Sequence, residues 1–295
     1  MCGHCGCGGP GETTVLNLQT GHQAAMDRGE HEHVHADGTR HSHAHAAGDH
    51  DHPHDHEHVH ADGTPHNHPT PRGEVVELET RILAKNDALA AKNRAWFKGR
   101  EILALNLVSS PGAGKTSLLE RTIRDLKDEL ALFVVEGDQA TANDGERIRA
   151  AGAAAVQVNT GAGCHLEADM VARGLQELKP GAGSVLLIEN VGNLVCPAMF
   201  DLGERAKVVI LSVTEGDDKP LKYPHMFRAA DIMILNKIDL LPYVDFDLAR
   251  AAANARQINP EIKLLHLSAR TGEGVEGWYQ WLRREAASVR DAAFA

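Results

Sequence analysis

The stretch Ser109-Ser110-Pro111-Gly112-Ala113-Gly114-Lys115-Thr116 constrains this chain more than any other. It follows the apolar run Ile102 to Val108, which reads as a buried strand. It precedes Ser117-Leu118-Leu119-Glu120-Arg121, which opens a helix. A strand, a glycine-rich turn and a helix N-terminus form the context of a phosphate-binding P-loop. Gly112 and Gly114 let successive backbone N–H groups turn inward around phosphate oxygens, and the positive end of the helix dipole adds to the attraction. Lys115 is expected to set its ammonium between the outer phosphates. Thr116 is expected to offer its hydroxyl to a bridging Mg2+. Gly112, Ala113, Gly114, Lys115, Thr116 and Ser117 make up the expected cradle. The general pattern G-x-x-x-x-G-K-[ST] has glycine where this chain has Ser109, and a small residue suits that turn.

From residue 102 onward strands alternate with helices, the signature of a mainly parallel α/β sheet covered on both faces. The spacing predicts strands at 102–108, 131–136, 154–159, 184–189, 207–213, 231–235 and 262–267. It predicts helices at 115–127, 145–151, 166–178, 247–257 and 275–287. In such sheets ligands sit beyond the carboxyl ends of the strands. The informative residues lie there. Asn236-Lys237-Ile238-Asp239 follows one strand and matches N-K-x-D, whose carboxylate accepts the N1–H and exocyclic amine of guanine. A carboxylate denied those donors in a dry pocket is costly, so the motif discriminates against adenine. Ser268-Ala269-Arg270, after the last strand, matches the S-A-x element that supports the base. Asp138 and Glu189 each close an apolar strand. With Lys115 they are the candidate catalytic residues: Asp138 holding Mg2+ with Thr116, Glu189 orienting the attacking water. Catalysis would be positioning and electrostatic stabilisation of in-line attack on the γ-phosphate. No arginine finger is visible.

The formal net charge of −11, with no basic stripe, argues against nucleic acid as a partner. Aromatics at 4% leave no base-stacking platform. No apolar run approaches membrane-spanning length, and no secretory signal opens the chain, so the expectation is a cytoplasmic protein.

Five cysteines, an odd number, argue against a disulfide framework. Cys2, Cys5 and Cys7 form C-x-x-C-x-C among glycines, a spacing that lets three sulfurs converge on one soft or borderline metal ion; nickel, zinc and copper all remain open. Fourteen of the nineteen histidines lie between His31 and His68, and His-Glu-His-Val-His-Ala-Asp-Gly-Thr occurs at 31–39 and again at 56–64. This tract has too few large apolar side chains to fold and reads as a disordered metal store or a solvated spacer. The expected organisation is a Cys-rich metal motif at 1–10, a disordered His-rich tail and linker at 11–73, and a nucleotide-binding domain at 74–295 that begins with a helix. A second constellation is Cys164-His165, at the mouth of a helix, and Cys196, seven residues beyond Glu189. Residue types alone leave metal binding and a buried apolar role equally open there.

Together these residues resemble the hydrogenase nickel-incorporation GTPase family, HypB, of the SIMIBI class of P-loop NTPases. The most specific pieces are Leu105 to Gly112, Gly163-Cys164-His165-Leu166 and Glu189 to Pro197. The resemblance implies a cytosolic GTPase, using GTP/GDP and Mg2+, that dimerises through its nucleotide-binding domains. It implies delivery of nickel to the [NiFe]-hydrogenase large-subunit precursor, together with a HypA-type nickel chaperone. It assigns Cys2, Cys5 and Cys7 to a tight nickel site, Cys164, His165 and Cys196 to a nickel or zinc site at the dimer interface, and the His tract to nickel storage. Two alternatives stay open at this point. One is a GTPase serving another nickel enzyme such as urease; the other is a passive nickel- or zinc-sequestering protein.

Overall fold

The computed structural model describes residues 14–25, 31–34, 40–43, 72–138, 143–161 and 163–291. The first elements are β1 (Thr14–Asn17) and β2 (Gln23–Ala25). Within a separate unit, residues 26–82, lie β3 (His31–Val34) and β4 (Arg40–His43). A long helix, α1 (Arg72–Gly99), leads into β5 (Leu103–Ser109) and α2 (Lys115–Leu126). There follow β6 (Leu132–Asp138), α3 (Asn143–Ala151), β7 (Ala154–Asn159), α4 (Ala168–Leu178), β8 (Val185–Glu189) and β9 (Ala206–Ser212). Two short helices, α5 (Lys219–Lys222) and α6 (Pro224–Ala229), precede β10 (Ile232–Asn236), α7 (Leu248–Ile258), β11 (Lys263–His266) and α8 (Val275–Asp291).

Nine of these strands form one sheet in the order β11-β10-β9-β5-β8-β6-β7-β1-β2. The seven from β11 to β7 are parallel, and every residue of β5, β8, β9 and β10 is buried. Strands buried on both faces carry near-continuous apolar runs rather than alternation, which is why these were visible in the sequence. One layer packs α2, α3 and α8 on the sheet around Leu118, Ile123, Ile148 and Trp278. The opposite layer packs α6 and α7 through Met226, Phe227, Ala251 and Ala255. Trp278 is fully buried, stacks on Trp281 at 5.3 Å, and donates from Nε1 to Thr122 Oγ1 at 3.0 Å.

The sheet departs from the sequence-based expectation at its far edge. Residues 14–25, assigned there to the tail, form an antiparallel hairpin added to β7, with Val15 opposite Val158. Val15 is 2% exposed while its strand neighbours are only half-buried, the alternation of a strand with one covered face. Asn17 Oδ1 accepts from Gln19 N and Thr20 N and so closes the turn. Four residues are too few to stand out beside a Cys-rich motif and a His-rich tract, yet covering the open β7 edge satisfies a whole row of backbone groups.

In the other unit, β3 and β4 pair antiparallel, with His31 opposite His43 and His33 opposite His41. Only the backbone pairing of these two strands is described. The sequence reading left this tract without strands. The remaining histidines of 31–68 lie outside the described residues, as do Cys2, Cys5 and Cys7.

α1 packs through Asn86, Ala90, Asn93 and Phe97, one helical stripe. Its two asparagines act as clamps. Asn86 donates to Asp201 O at 2.7 Å and accepts from Ala168 N at 2.9 Å, and Asn93 donates to Ala168 O and Leu202 O. No described helix is long and apolar enough to cross a membrane.

Candidate nucleotide site and metal centre

Ser109, Asp138, Glu189 and Asn236 end β5, β6, β8 and β10 at the same edge of the sheet. The P-loop leaves β5 and enters α2, with Gly112 at φ 75° and Gly114 at φ 93°. A side chain at Gly114 would be strained by that φ and would put Cβ 2.5 Å from Asn236 Nδ2. Asn236 is the hub. Its Nδ2 donates to Ala113 O at 2.9 Å, and its Oδ1 accepts from Ala269 N at 3.0 Å and Lys237 N at 2.8 Å. One side chain thus ties the P-loop, the N-K-x-D turn and the S-A-R loop together. Lys237, itself left-handed at φ 64°, donates from Nζ to Gly112 O at 2.6 Å. Ser268 is fully buried and its Oγ accepts from Thr271 N, which fixes the loop that carries Ala269.

A cleft of about 490 Å3 opens between α2 and these two loops. Gly114, Ser117, Asn236, Lys237, Asp239 and Ala269 line it. Asp239 Oδ1 is buried in that region without a hydrogen-bond partner among the described residues. A buried carboxylate oxygen left so is costly, and a base presenting N–H donors removes the cost. The cleft is also lined by Arg121, Arg124 and Leu240, which the motif reading did not single out, and by Arg270 of the S-A-x match. The first two lie on α2, where helical spacing from Ser117 is the signal that could have found them.

At the phosphate end, Glu189 is 2% exposed. Its Oε1 accepts from Thr116 Oγ1 at 2.7 Å and lies 3.3 Å from Lys115 Nζ. The acid, the lysine and the hydroxyl named from sequence therefore meet. Asp138 ends β6 in register with Asn159.

The second constellation also assembles. Cys164 Sγ lies 2.9 Å from Cys196 Sγ and 3.6 Å from His165 Nδ1, and the three ligand atoms sit within 4.8 Å of one another. Neither cysteine is in a disulfide. Burial pushes the His165 imidazole down to about 4, so it stays neutral and able to donate a lone pair at neutral pH. Its ring packs on Phe200 with centroids 3.9 Å apart. Two thiols and one neutral imidazole are a donor set for borderline divalent ions and leave a fourth tetrahedral position open.

Sequence reasoning missed what stands behind these ligands. Asn190, next to Glu189 in the chain, accepts at Oδ1 from Leu166 N at 3.1 Å and donates to Asn106 Oδ1 at 3.2 Å. Asn106 donates to Glu204 Oε1 at 3.0 Å. Lys207 donates to Pro197 O at 2.8 Å and Phe200 O at 3.4 Å, with Glu204 Oε1 at 3.7 Å. Burial raises the Glu204 carboxyl above its ordinary range, against the opposing pull of the Lys207 ammonium. Asn106 and Lys207 are polar residues inside apolar strands, a signal legible beforehand. On the other side, Gly192 lies against Pro111 of the P-loop, where an added Cβ would approach the proline Cα at 3.2 Å. The loop from Glu189 to Cys196 thus touches both the phosphate cradle and the thiols.

Residues 103–266 match the family described as CobW/HypB/UreG, nucleotide-binding domain. The hydrogenase maturation factor HypB of Rhizobium leguminosarum is 62% identical over 213 residues, spanning 72% of this chain and 71% of that protein. This chain belongs to the HypB family. Among solved structures, HypB from Archaeoglobus fulgidus aligns with a TM-score of 0.65 at 41% identity, covering 69% of this chain and 99% of that one. HypB from Helicobacter pylori in complex with nickel aligns with a TM-score of 0.65 at 38% identity, covering 69% and 96%. As a HypB-family protein with this P-loop and N-K-x-D turn, the chain is a GTP-hydrolysing enzyme.

Proposed function

We propose that this GTPase is a nickel metallochaperone that inserts nickel into the [NiFe]-hydrogenase large-subunit precursor, acting in the cytoplasm as a homodimer with a HypA-type nickel chaperone. Nickel is the cargo. Cys164, His165 and Cys196 hold it, or zinc, while GTP with Mg2+ sits on residues 112–117, Asn236, Lys237, Asp239, Ser268 and Ala269. Thr116 and Asp138 hold the Mg2+, Glu189 orients water, and Lys115 stabilises charge that builds on the phosphates. Cys2, Cys5 and Cys7 form a further nickel site. The His tract is a nickel store, a reading supported by the fourteen histidines that residues 31–68 concentrate.

A single observation carries the coupling of the two sites. The loop beginning at Glu189, which meets Lys115 and Thr116, ends at Cys196, and its Gly192 adjoins Pro111. A change at the terminal phosphate therefore has a short covalent path to a thiol. The test is nickel titration with GDP and with a non-hydrolysable GTP analogue, on the parent protein and Cys196→Ala. The parent is expected to show nickel affinities at least about fivefold apart in the two states, and the variant to lose the difference. Equal affinities in the parent refute the coupling.

A further inference from the structure

Two lysines from outside the P-loop reach it. Lys237 belongs to the base-reading turn and donates to Gly112 O. Lys219, at the start of α5, donates from Nζ to Ser110 Oγ at 3.5 Å. No motif accounts for Lys219. Its side chain is 23% exposed, with Glu215 Oε2 at 3.3 Å and the Tyr223 ring 5.2 Å from Nζ.

The loop that presents it is held at many points. Ser212 N donates to Glu215 Oε1, and Val213 N donates to Asn236 O, the strand-end residue of the hub. Asp217 accepts from Asp247 N and from Arg250, and Asn254 donates to Asp217 O. Such over-determination is more than the i,i+4 ion pair between Lys219 and Glu215 requires, since a partly exposed pair of that kind adds little stability. The ammonium's place is fixed before any ligand arrives, and preorganised charge is worth most at a reacting phosphate.

Its position along the cradle selects the phosphate. Gly112 and Ala113 are tied to the base-reading turn through Lys237 and Asn236. Ser110 and Pro111 lie at the other end, where Pro111 adjoins the loop that starts at Glu189. A nucleoside triphosphate laid from base to tail has its last phosphate at that remote end.

We propose that Lys219 is a second phosphate-contacting cation, which meets the terminal phosphate of GTP beside Ser110 and supplies within one chain the positive charge that the motif inventory lacks. The proposal rests on the reading of residues 109–116 as the cradle for GTP. Full-length Lys219→Met and Lys219→Arg are compared with the parent by calorimetry, with GDP and with a non-hydrolysable GTP analogue, and by GTP turnover. In Lys219→Met, affinity for the analogue is expected to fall about tenfold and kcat by at least about tenfold, with GDP affinity within about twofold. Lys219→Arg is expected to recover most of both. Equal losses for GDP and the analogue, or no loss for either, overturn the role. Should the Met variant not fold by thermal melting, the same affinity ratio in Lys219→Gln decides. Failure of the parent itself to bind guanine nucleotides sinks the cradle instead, a separate outcome.

Discussion

The nucleotide cleft and the thiol–imidazole cluster lie at the same edge of one sheet but are built by opposite means. The cleft is framed by α2 and by loops held through their backbone groups, and three sequence-distant loops converge on one side chain, Asn236. The cluster is made of three side chains from two loops, with Cys164 and Cys196 brought to 2.9 Å. Its support is a buried polar relay through Asn190, Asn106, Glu204 and Lys207. A backbone cradle tolerates sequence change except where φ is positive. A side-chain cluster has no such tolerance, because each ligand and each residue that aims it is chemically specific.

The sharpest break between the regions is Lys115→Ala. GTP turnover should fall by about 10²- to 10³-fold, since a charge aimed at the phosphates is lost. Metal stoichiometry at Cys164, His165 and Cys196 should not change, and loss of metal in this variant would show that the two regions fold as one. Asp239→Asn comes next. The buried Oδ1 reads N–H donors, so preference should move from guanine toward xanthine nucleotides by about a hundredfold. Competition binding with GDP and xanthosine diphosphate measures it, and unchanged selectivity removes the base contact. The smallest effect tests the other region. Lys207→Met removes the donor to Pro197 O and Phe200 O and should weaken metal affinity about tenfold, leaving GDP affinity alone. A fall in GDP affinity of the same size would mean that Lys207 supports the sheet rather than the cluster.

Most of the parallel strands were legible because strands covered on both faces are nearly continuous apolar runs, although β11 is only partly covered. The β1–β2 hairpin was not, because Thr14–Asn17 offers one buried residue pair and borrows its stability from the β7 edge. Within the sites, Lys115, Thr116, Asn236 and Asp239 were readable as local patterns. Lys219 was not, since its partner Ser110 is 109 residues away, whereas Lys207 stood out only as a polar residue inside an apolar strand.

Sequence by itself determined the chemistry available: a glycine-rich turn between strand and helix, a carboxylate spaced to read guanine, a thiol beside an imidazole. These are statements about neighbours in the chain, where bond geometry fixes distance. Tertiary structure alone decided which of them meet. Strand order laid β8 between β5 and β6, so that Glu189 faces Lys115 and Thr116 while the loop it begins delivers Cys196 to Cys164. Burial then fixed the state of the metal-facing group by withdrawing His165 from water, which holds it neutral. Desolvation of that kind belongs to the packed fold and is written nowhere in the order of residues.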